Sequence, residues 1–173
     1  MLYRRAKGAA IGDQHPARQA FHDVTDEVLY TGQVTVSHGH ALSRAVARAG
    51  GMPGRSGTMP FQFRATRDGD HEIWERSFDG HITRSLQWLH APGIVAERVG
   101  TSEFLMHPMA QGAQLHIPIT RIRGFGLPVP QAMVVQCDGV EGVADDGAIT
   151  FDVQAKMRGI GLIIRYQGKM ARA

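Results

Sequence analysis

Residues 74–78, Trp74-Glu75-Arg76-Ser77-Phe78, form a predicted β-strand in which an arginine lies between two aromatic residues at alternate positions. Successive side chains on a strand point to opposite faces, so Trp74, Arg76 and Phe78 share one face. The two aromatic rings indicate that this face is buried and that the guanidinium lies beside them. An unpaired buried arginine is strongly destabilising. The stretch therefore predicts that Arg76 meets a carboxylate, a set of carbonyl groups or an anionic ligand inside the fold.

Turn signals bound this strand on both sides. Asp68-Gly69 precedes it and Asp79-Gly80 follows it, and both residue types tolerate the positive φ angles of tight hairpin turns. The same chemistry recurs at Gln111-Gly112 and Asp146-Gly147. Strands are predicted between such signals at Glu27–Ser37, Thr58–Arg67, Asp70–Phe78, His81–Leu89, Ile94–Val99, Ser102–Met109, Ala113–Ile122, Ala132–Val140, Ala148–Met157 and Ile160–Gln167.

Two short helices are predicted near the N-terminus. Residues 16–23 begin with Pro16, a residue suited to the first turn of a helix. Residues Ala41–Ala49 place their apolar side chains on one face before Gly50-Gly51 ends the helix.

The elements together predict a mainly β fold. About ten short strands joined by tight turns form an antiparallel meander, which closes into a barrel with a lipocalin-like cavity or folds into a sandwich; we expect the barrel. A helix-grip fold fits less well, because the chain ends in strand at Leu162–Tyr166 where that fold has a long helix. The two prolines in Gly124–Pro130 exclude a central strand there. We expect residues 1–14 to be a flexible N-terminus and residues 15–173 to form one barrel domain.

Composition excludes several classes of protein. The chain has 173 residues, of which 43% are hydrophobic and 20% charged, and no apolar run approaches the ~20 residues that cross a membrane. No signal-peptide pattern is present at the start, so we expect a cytoplasmic protein with no membrane partner. The net charge of +3 is scattered along the chain, which argues against a nucleic-acid partner. The single cysteine, Cys137, is expected to be a core residue.

Arg76 and Glu97 are the first candidate site. A guanidinium paired with a carboxylate inside a barrel can orient a ligand, and a buried glutamate can act as a general base. The alternative is a structural salt bridge that joins two strands.

Other polar residues are candidates by strand alternation. His116 alternates with Gln114 and Pro118 and would be an acid or base if that face looked into the barrel; otherwise it meets water. We also expect Trp74, Phe78, Trp88, Asp152 and Tyr166 to contact a ligand if they face a cavity.

Histidines elsewhere give weaker signals. His38-Gly39-His40 has the spacing of two metal ligands on a strand, but no third ligand follows, so we expect no metal and no other cofactor. His22-Asp23 lies at the end of a helix, where a histidine more often interacts with the helix dipole. No glycine-rich phosphate loop or nucleophile motif is present.

Short motifs follow one another along almost the whole chain. They are Arg18, His22-Asp23, Gly32–Gly39, the alternation of Trp74, Arg76 and Phe78, Ser85, Glu97–Gly100, Gly126–Pro130, Phe151–Val153 and Gly161–Gly168. In this order they resemble a bacterial domain family of unknown function that occurs alone or fused behind a saccharopine-dehydrogenase-like, nucleotide-binding domain. The chain departs from that pattern at Gln87–Pro92 and at Lys169-Met170. The resemblance implies a role in small-molecule metabolism and no particular catalytic residue.

Three functions are consistent with the sequence. The first is a cofactor-independent isomerase or cyclase that acts on an apolar, partly anionic metabolite, with Arg76 holding an oxyanion and Glu97 or His116 moving a proton. The second is a lipocalin-like carrier of a hydrophobic ligand that does no chemistry. The third is a module that docks on a reductase-like partner, or on a second copy as a homodimer.

Overall fold

The computed structural model describes residues 2–7, 15–124, 126–128 and 135–173. The described residues contain three helices, α1 (Leu2–Lys7), α2 (Pro16–His22) and α3 (Ala41–Ala49), and 13 strands in one antiparallel sheet. The strands are β1 (Glu27–Ser37), β2 (Gly57–Asp68), β3 (His71–Phe78), β4 (His81–Ala91), β5 (Ile94–Val99), β6 (Ser102–Met106), β7 (Met109–Gln111), β8 (Gln114–His116), β9 (Ile119–Gly124), β10 (Leu127–Pro128), β11 (Val135–Val143), β12 (Ile149–Met157) and β13 (Gly161–Arg172).

Tight turns join most neighbouring strands, as the sequence predicts. At the β3–β4 turn Asp79 has a φ of 50° and Gly80 one of 88°, and Gly69 and Gly147 also have positive φ. Such angles favour glycine and aspartate over other residues. The predicted mainly β fold is confirmed, and the bounds of β1 and β5 are those predicted from the sequence.

The ends of the sheet meet along one bent segment. Leu115 and His116 of β8 pair with β11, and the Ile117 N–H donates to the Gly139 carbonyl at 2.7 Å. The same segment continues into β9, which pairs with β6. The sheet therefore curls round on itself, and the predicted barrel is confirmed.

Two prolines divide strands that the sequence predicts as continuous. Pro108 separates β6 from β7, and Pro118 separates β8 from β9. Proline has no N–H for the ladder, so the pairing changes partner at these points. The Pro118 carbonyl still accepts from the His107 N–H at 3.0 Å. If each divided strand is counted once and the two-residue β10 is set aside, the described residues give ten strands around the barrel.

The proline-containing segment Gly124–Pro130 lies at one end of the strand order. Leu127 and Pro128 form β10, which pairs with the end of β9. This agrees with the prediction that the segment is not a central strand. Residues 125, 129 and 130 lie outside the described residues.

Helices lie at both ends of the barrel. At one end the Leu2 N–H of α1 donates to Glu72 Oε1 at 2.9 Å, and α2 leads into β1. At the other end His40 precedes α3, and its Nε2 donates to the Ile160 carbonyl at 3.1 Å. None of the described helices is long or apolar enough to span a bilayer.

The first helix differs from the predicted flexible N-terminus. Leu2, Tyr3 and Ala6 are buried against the barrel, so the apolar face of α1 is held by tertiary packing. The remaining residues of that segment, 1 and 8–14, lie outside the described residues.

Candidate functional site

A cavity of about 110 Å³ lies inside the barrel. Its walls are mainly aromatic and aliphatic, with polar groups from β3, β4, β5 and β11. The apolar and aromatic lining residues are Tyr3, Phe21, Phe61, Phe63, Trp74, Met106, Ile117, Ile119, Phe151, Val153, Tyr166 and Met170, and the polar lining residues are Arg76, Gln87, Glu97, Cys137, Asp138 and Glu141.

Arg76 and Glu97 form an ion pair at the cavity wall. Arg76 Nη2 donates to Glu97 Oε1 at 3.0 Å, and Nη1 donates to Ser85 Oγ at 3.1 Å. The two charged side chains are 13% and 12% exposed. The guanidinium also lies 5.3 Å from the ring centre of Trp74, within the range of a cation–π contact. Glu97 is thus the partner that the sequence predicts for Arg76.

The surroundings of Glu97 stabilise its carboxylate. Burial alone would raise the pKa of Glu97, but the charge of Arg76 and hydrogen bonds from Ser85 and Gln87 outweigh it and lower the pKa. Burial alone would lower the pKa of the Arg76 guanidinium. The negative charge of Glu97 outweighs this effect, so the pKa of Arg76 is raised. Glu97 is therefore a stable anion at neutral pH and a weak base.

Gln87 extends this polar group along β4. Its side chain is buried and lines the cavity, and Gln87 stands directly opposite Glu97 in the β4–β5 register. Its Oε1 atom has no hydrogen-bond partner among the described residues. A buried amide oxygen of this kind is uncommon in folded proteins.

A second polar cluster joins α2 to β11. His22 Nε2 and Glu141 Oε2 are 2.7 Å apart, and Arg18 Nη1 lies 3.5 Å from the Glu141 carbonyl oxygen. Arg18 and His22 are each 1% exposed, while Glu141 lines the cavity. Tyr3 covers the histidine, with ring centres 4.3 Å apart.

Sequence reasoning missed this cluster because it assigned His22 to the dipole of a helix end. Arg18 and His22 are four residues apart, a spacing that puts both on one helix face beside Phe21. The feature of the sequence that indicates a buried cluster is the position of Arg18 and His22 on the same helix face as the aromatic Phe21. Their acidic partner, Glu141, lies 119 residues from His22, and no local pattern connects the two.

Tyr166 and Cys137 are protonated at neutral pH. Burial is the main cause that raises the pKa of Tyr166 to about 12, and the same effect raises the pKa of Cys137 to about 12. The tyrosine hydroxyl can therefore donate a hydrogen bond. The thiol lacks the thiolate form that a nucleophile needs.

Trp74, Arg76, Glu97 and Tyr166 are brought together at the cavity. Phe78 is buried beside them, with its ring centre 5.4 Å from that of Tyr166, but it does not line the cavity.

The structure does not place three other predicted residues at the cavity. Trp88 contacts Arg98 on the outer face of β4, and Asp152 forms a surface ion pair with Arg165. His116 follows Leu115, which is the buried residue of β8. The physical reason is strand alternation: Gln87, Phe151 and Leu115 face inward, so the residue after each of them faces outward.

His38 and His40 have separate structural contacts. His38 Nδ1 lies 2.8 Å from Ser56 Oγ, and its Nε2 donates to the Pro53 carbonyl at 3.0 Å. Burial is the main cause that lowers the pKa of His38. Among the described residues no group of three or more acidic, histidine or cysteine side chains could hold a metal ion.

A family model described as "Domain of unknown function (DUF4166)" matches residues 15–170. The chain belongs to this family. The match runs from just before α2 to near the end of β13, so it covers the whole barrel and leaves α1 outside. The predicted membership of a domain family of unknown function is confirmed for this DUF4166 domain.

No curated protein matches the chain. Among solved structures, the crystal structure of Rv2717c from M. tuberculosis is similar over 93% of this chain and 99% of that chain, with a TM-score of 0.48 and 12% sequence identity.

Proposed function

We propose that this DUF4166 domain binds a small, largely apolar molecule inside its barrel. The observation that supports the proposal is the cavity. Its walls are mainly aromatic and aliphatic, and Arg76, Glu97 and Gln87 form a cluster of polar side chains at fixed positions in the wall. Ligand sites in proteins commonly combine apolar walls with a few placed polar groups. A carrier or sensor needs no more than this arrangement.

The size of the cavity limits the ligand. An apolar cavity of roughly 150 Å³ holds benzene. The cavity of about 110 Å³ is smaller than this, so a single ring is the largest molecule that it can hold without movement of its walls. Tyr3 forms part of the wall from the short helix α1, so a small movement of that helix would admit a somewhat larger molecule.

The charges around the cavity favour an uncharged ligand over the partly anionic one that the sequence suggests. Arg76 is already neutralised by Glu97, and the second glutamate, Glu141, contacts His22. An anion at Arg76 would also meet the field of both glutamates. A ligand with an ammonium group would be repelled by the positive charge of the Arg76 guanidinium.

The two tryptophans provide a direct test of binding. Trp74 lines the cavity and Trp88 lies on the outer face, and the chain has no other tryptophan. In Trp88→Phe only Trp74 reports, and addition of benzene or toluene should change its fluorescence in a saturable way. In Trp74→Phe only Trp88 reports, and its fluorescence should stay constant.

Two results would count against binding in the cavity. One is equal responses from both single-tryptophan variants, which would indicate binding outside the barrel or a general solvent effect. The other is no saturable response from Trp74. Native mass spectrometry of the freshly purified protein complements this assay by identifying a molecule that co-purifies.

Acid–base catalysis is a second candidate function, and it is supported by Glu141 and not by the residues predicted from the sequence. Glu97 is a weak base and His116 lies away from the cavity. Glu141 lines the cavity, and its hydrogen bond to His22 at 2.7 Å gives a path for a proton between them. A co-purifying ligand incubated with the protein in D₂O should then incorporate deuterium at carbon. The Glu141→Gln variant should abolish this exchange, and equal exchange in both proteins would contradict the role of Glu141.

A further inference from the structure

Gln87, a residue of the cavity wall, carries a buried acceptor atom. Its side chain is 1% exposed, lines the cavity and leaves Oε1 without a hydrogen-bond partner among the described residues. Removing an amide oxygen from water without a new partner is unfavourable. The oxygen itself exposes less than 1 Å² of surface, so a donor group in the cavity reaches it after a small shift of the surrounding side chains.

The orientation of the Gln87 amide follows from Glu97. Gln87 and Glu97 are paired across β4 and β5, and a side-chain hydrogen bond from Gln87 is one of the causes that lower the pKa of Glu97, so the amide nitrogen is the donor. Exchanging the amide oxygen and nitrogen would place Oε1 against an anion, which Arg76 holds in its ionised form. The nitrogen therefore faces Glu97, and the oxygen is the atom left for a ligand.

We propose that the ligand is an uncharged, ring-sized molecule with a hydroxyl or N–H group, and that this group donates to Gln87 Oε1. The proposal rests on the proposed function of ligand binding in the barrel and names the chemical class of the ligand. Phenols and small N–H heterocycles belong to this class. Arg76 and Glu97 contribute by fixing the direction of the amide.

Phenol and toluene test the proposal because they have nearly the same shape and differ in the donor. Calorimetric titration gives the affinity of each for the wild-type protein and for Gln87→Met, which keeps the length of the side chain and removes the acceptor. The ratio of phenol affinity to toluene affinity is compared between the two proteins, so the different hydration of the ligands cancels. We expect the ratio to fall by about tenfold or more in Gln87→Met.

A matched control separates loss of the acceptor from a change in cavity shape. Met106→Leu alters an apolar wall residue by a volume-conserving exchange and should leave the phenol-to-toluene ratio within about twofold of the wild type.

The outcomes distinguish this inference from the proposed function. If toluene and phenol bind the wild-type protein but Gln87→Met leaves their ratio unchanged, the donor contact is refuted and binding in the barrel stands. If neither binds, the proposed function fails, and the inference fails with it. If Gln87→Met does not fold, a crystal structure of the wild-type protein with phenol decides. A hydroxyl within hydrogen-bond distance of Gln87 Oε1 supports the inference, and a hydroxyl elsewhere or an empty cavity overturns it.

Discussion

Arg76→Met removes the guanidinium from the cavity wall and keeps most of the aliphatic chain of the arginine. The variant loses the bonds to Glu97 Oε1 and Ser85 Oγ, at 3.0 and 3.1 Å. Glu97, which is 12% exposed, then loses the cation with which it pairs. Its carboxylate must stay charged in an apolar interior or take up a proton.

The expected loss is large because the unpaired charge stays buried. Breaking a buried ion pair by removing one partner costs about 3–5 kcal/mol, whereas the whole stability of a domain is about 5–15 kcal/mol. For a domain of this length each kcal/mol corresponds to roughly 2–4 °C in Tm. Arg76→Met should therefore lower the Tm by about 6–20 °C.

The double variant Arg76→Met/Glu97→Leu removes both charges and replaces them with apolar side chains. Such replacements are often neutral or stabilising. We expect its free energy of unfolding to lie within about 2 kcal/mol of the wild type, so that the two changes are strongly non-additive. Guanidinium chloride denaturation followed by circular dichroism measures all four proteins of the cycle.

Arg165→Met is the control, because it removes one partner of an ion pair that is exposed to solvent and not buried. Arg165 pairs with Asp152 on the surface, where the two side chains are 44% and 39% exposed. It should cost no more than about 1 kcal/mol. A loss in Arg76→Met no greater than in Arg165→Met would refute the reasoning, as would a double variant as unstable as the sum of its single changes.

Three further predictions concern stability and reactivity. The lowered pKa of Glu97 means that its stabilising contribution is complete above the ordinary pKa of 4.5 and is lost as the pH falls through the lower, folded value. Glu97→Gln should remove this part of the acid destabilisation, which denaturation between neutral pH and about pH 3 measures; an unchanged pH profile would contradict it. Gly168→Ala should cost about 1–3 kcal/mol or more, because the new Cβ would lie 2.2 Å from the Gln33 carbonyl oxygen. Gly139→Ala, whose Cβ would have 3.7 Å to its nearest neighbour, is the control in the same denaturation assay and should cost much less. Cys137, with a pKa of about 12, should react with iodoacetamide at least about a hundredfold more slowly in the folded protein than in denaturant, and equal rates would show an exposed thiol.

The sequence predicts most of the strands and places Glu97 first among the candidate partners of Arg76. Turn residues such as Asp79-Gly80 mark the ends of strands through their own backbone preferences, which do not depend on the rest of the fold. The need of Arg76 for a buried partner was predictable for a different reason, because its face also carries Trp74 and Phe78.

The inward face of β4 could not be predicted in the same way. Thr83, Ser85 and Gln87 face the interior, although all three are polar. The rule that apolar residues face inward therefore fails on this strand, because Ser85 bonds to Arg76, Gln87 bonds to Glu97 and Thr83 Oγ1 donates to the Gly51 carbonyl. The same ambiguity led to the expectation that Trp88 would contact a ligand.

The N-terminal elements depend on tertiary contacts that the sequence does not contain locally. A six-residue helix such as α1 is too short to be stable alone, and only the barrel end buries Leu2 and Tyr3. His22 likewise looks like the exposed end of a helix until Glu141 is placed beside it by the fold.

The choice between a structural and a ligand-binding role for Arg76 and Glu97 now depends on Gln87. If the pair only joined β3 to β5, apolar residues would stabilise the barrel at least as well. No reason would then remain for the amide oxygen beside it, which has no hydrogen-bond partner in the described part of the chain. A recognition site accounts for both observations, because the ion pair directs the amide and the amide receives the ligand. The folded double variant Arg76→Met/Glu97→Leu separates the two roles. With Glu97 gone the amide is free to turn, so the phenol-to-toluene ratio should fall although stability is kept; an unchanged ratio would show that the pair is purely structural.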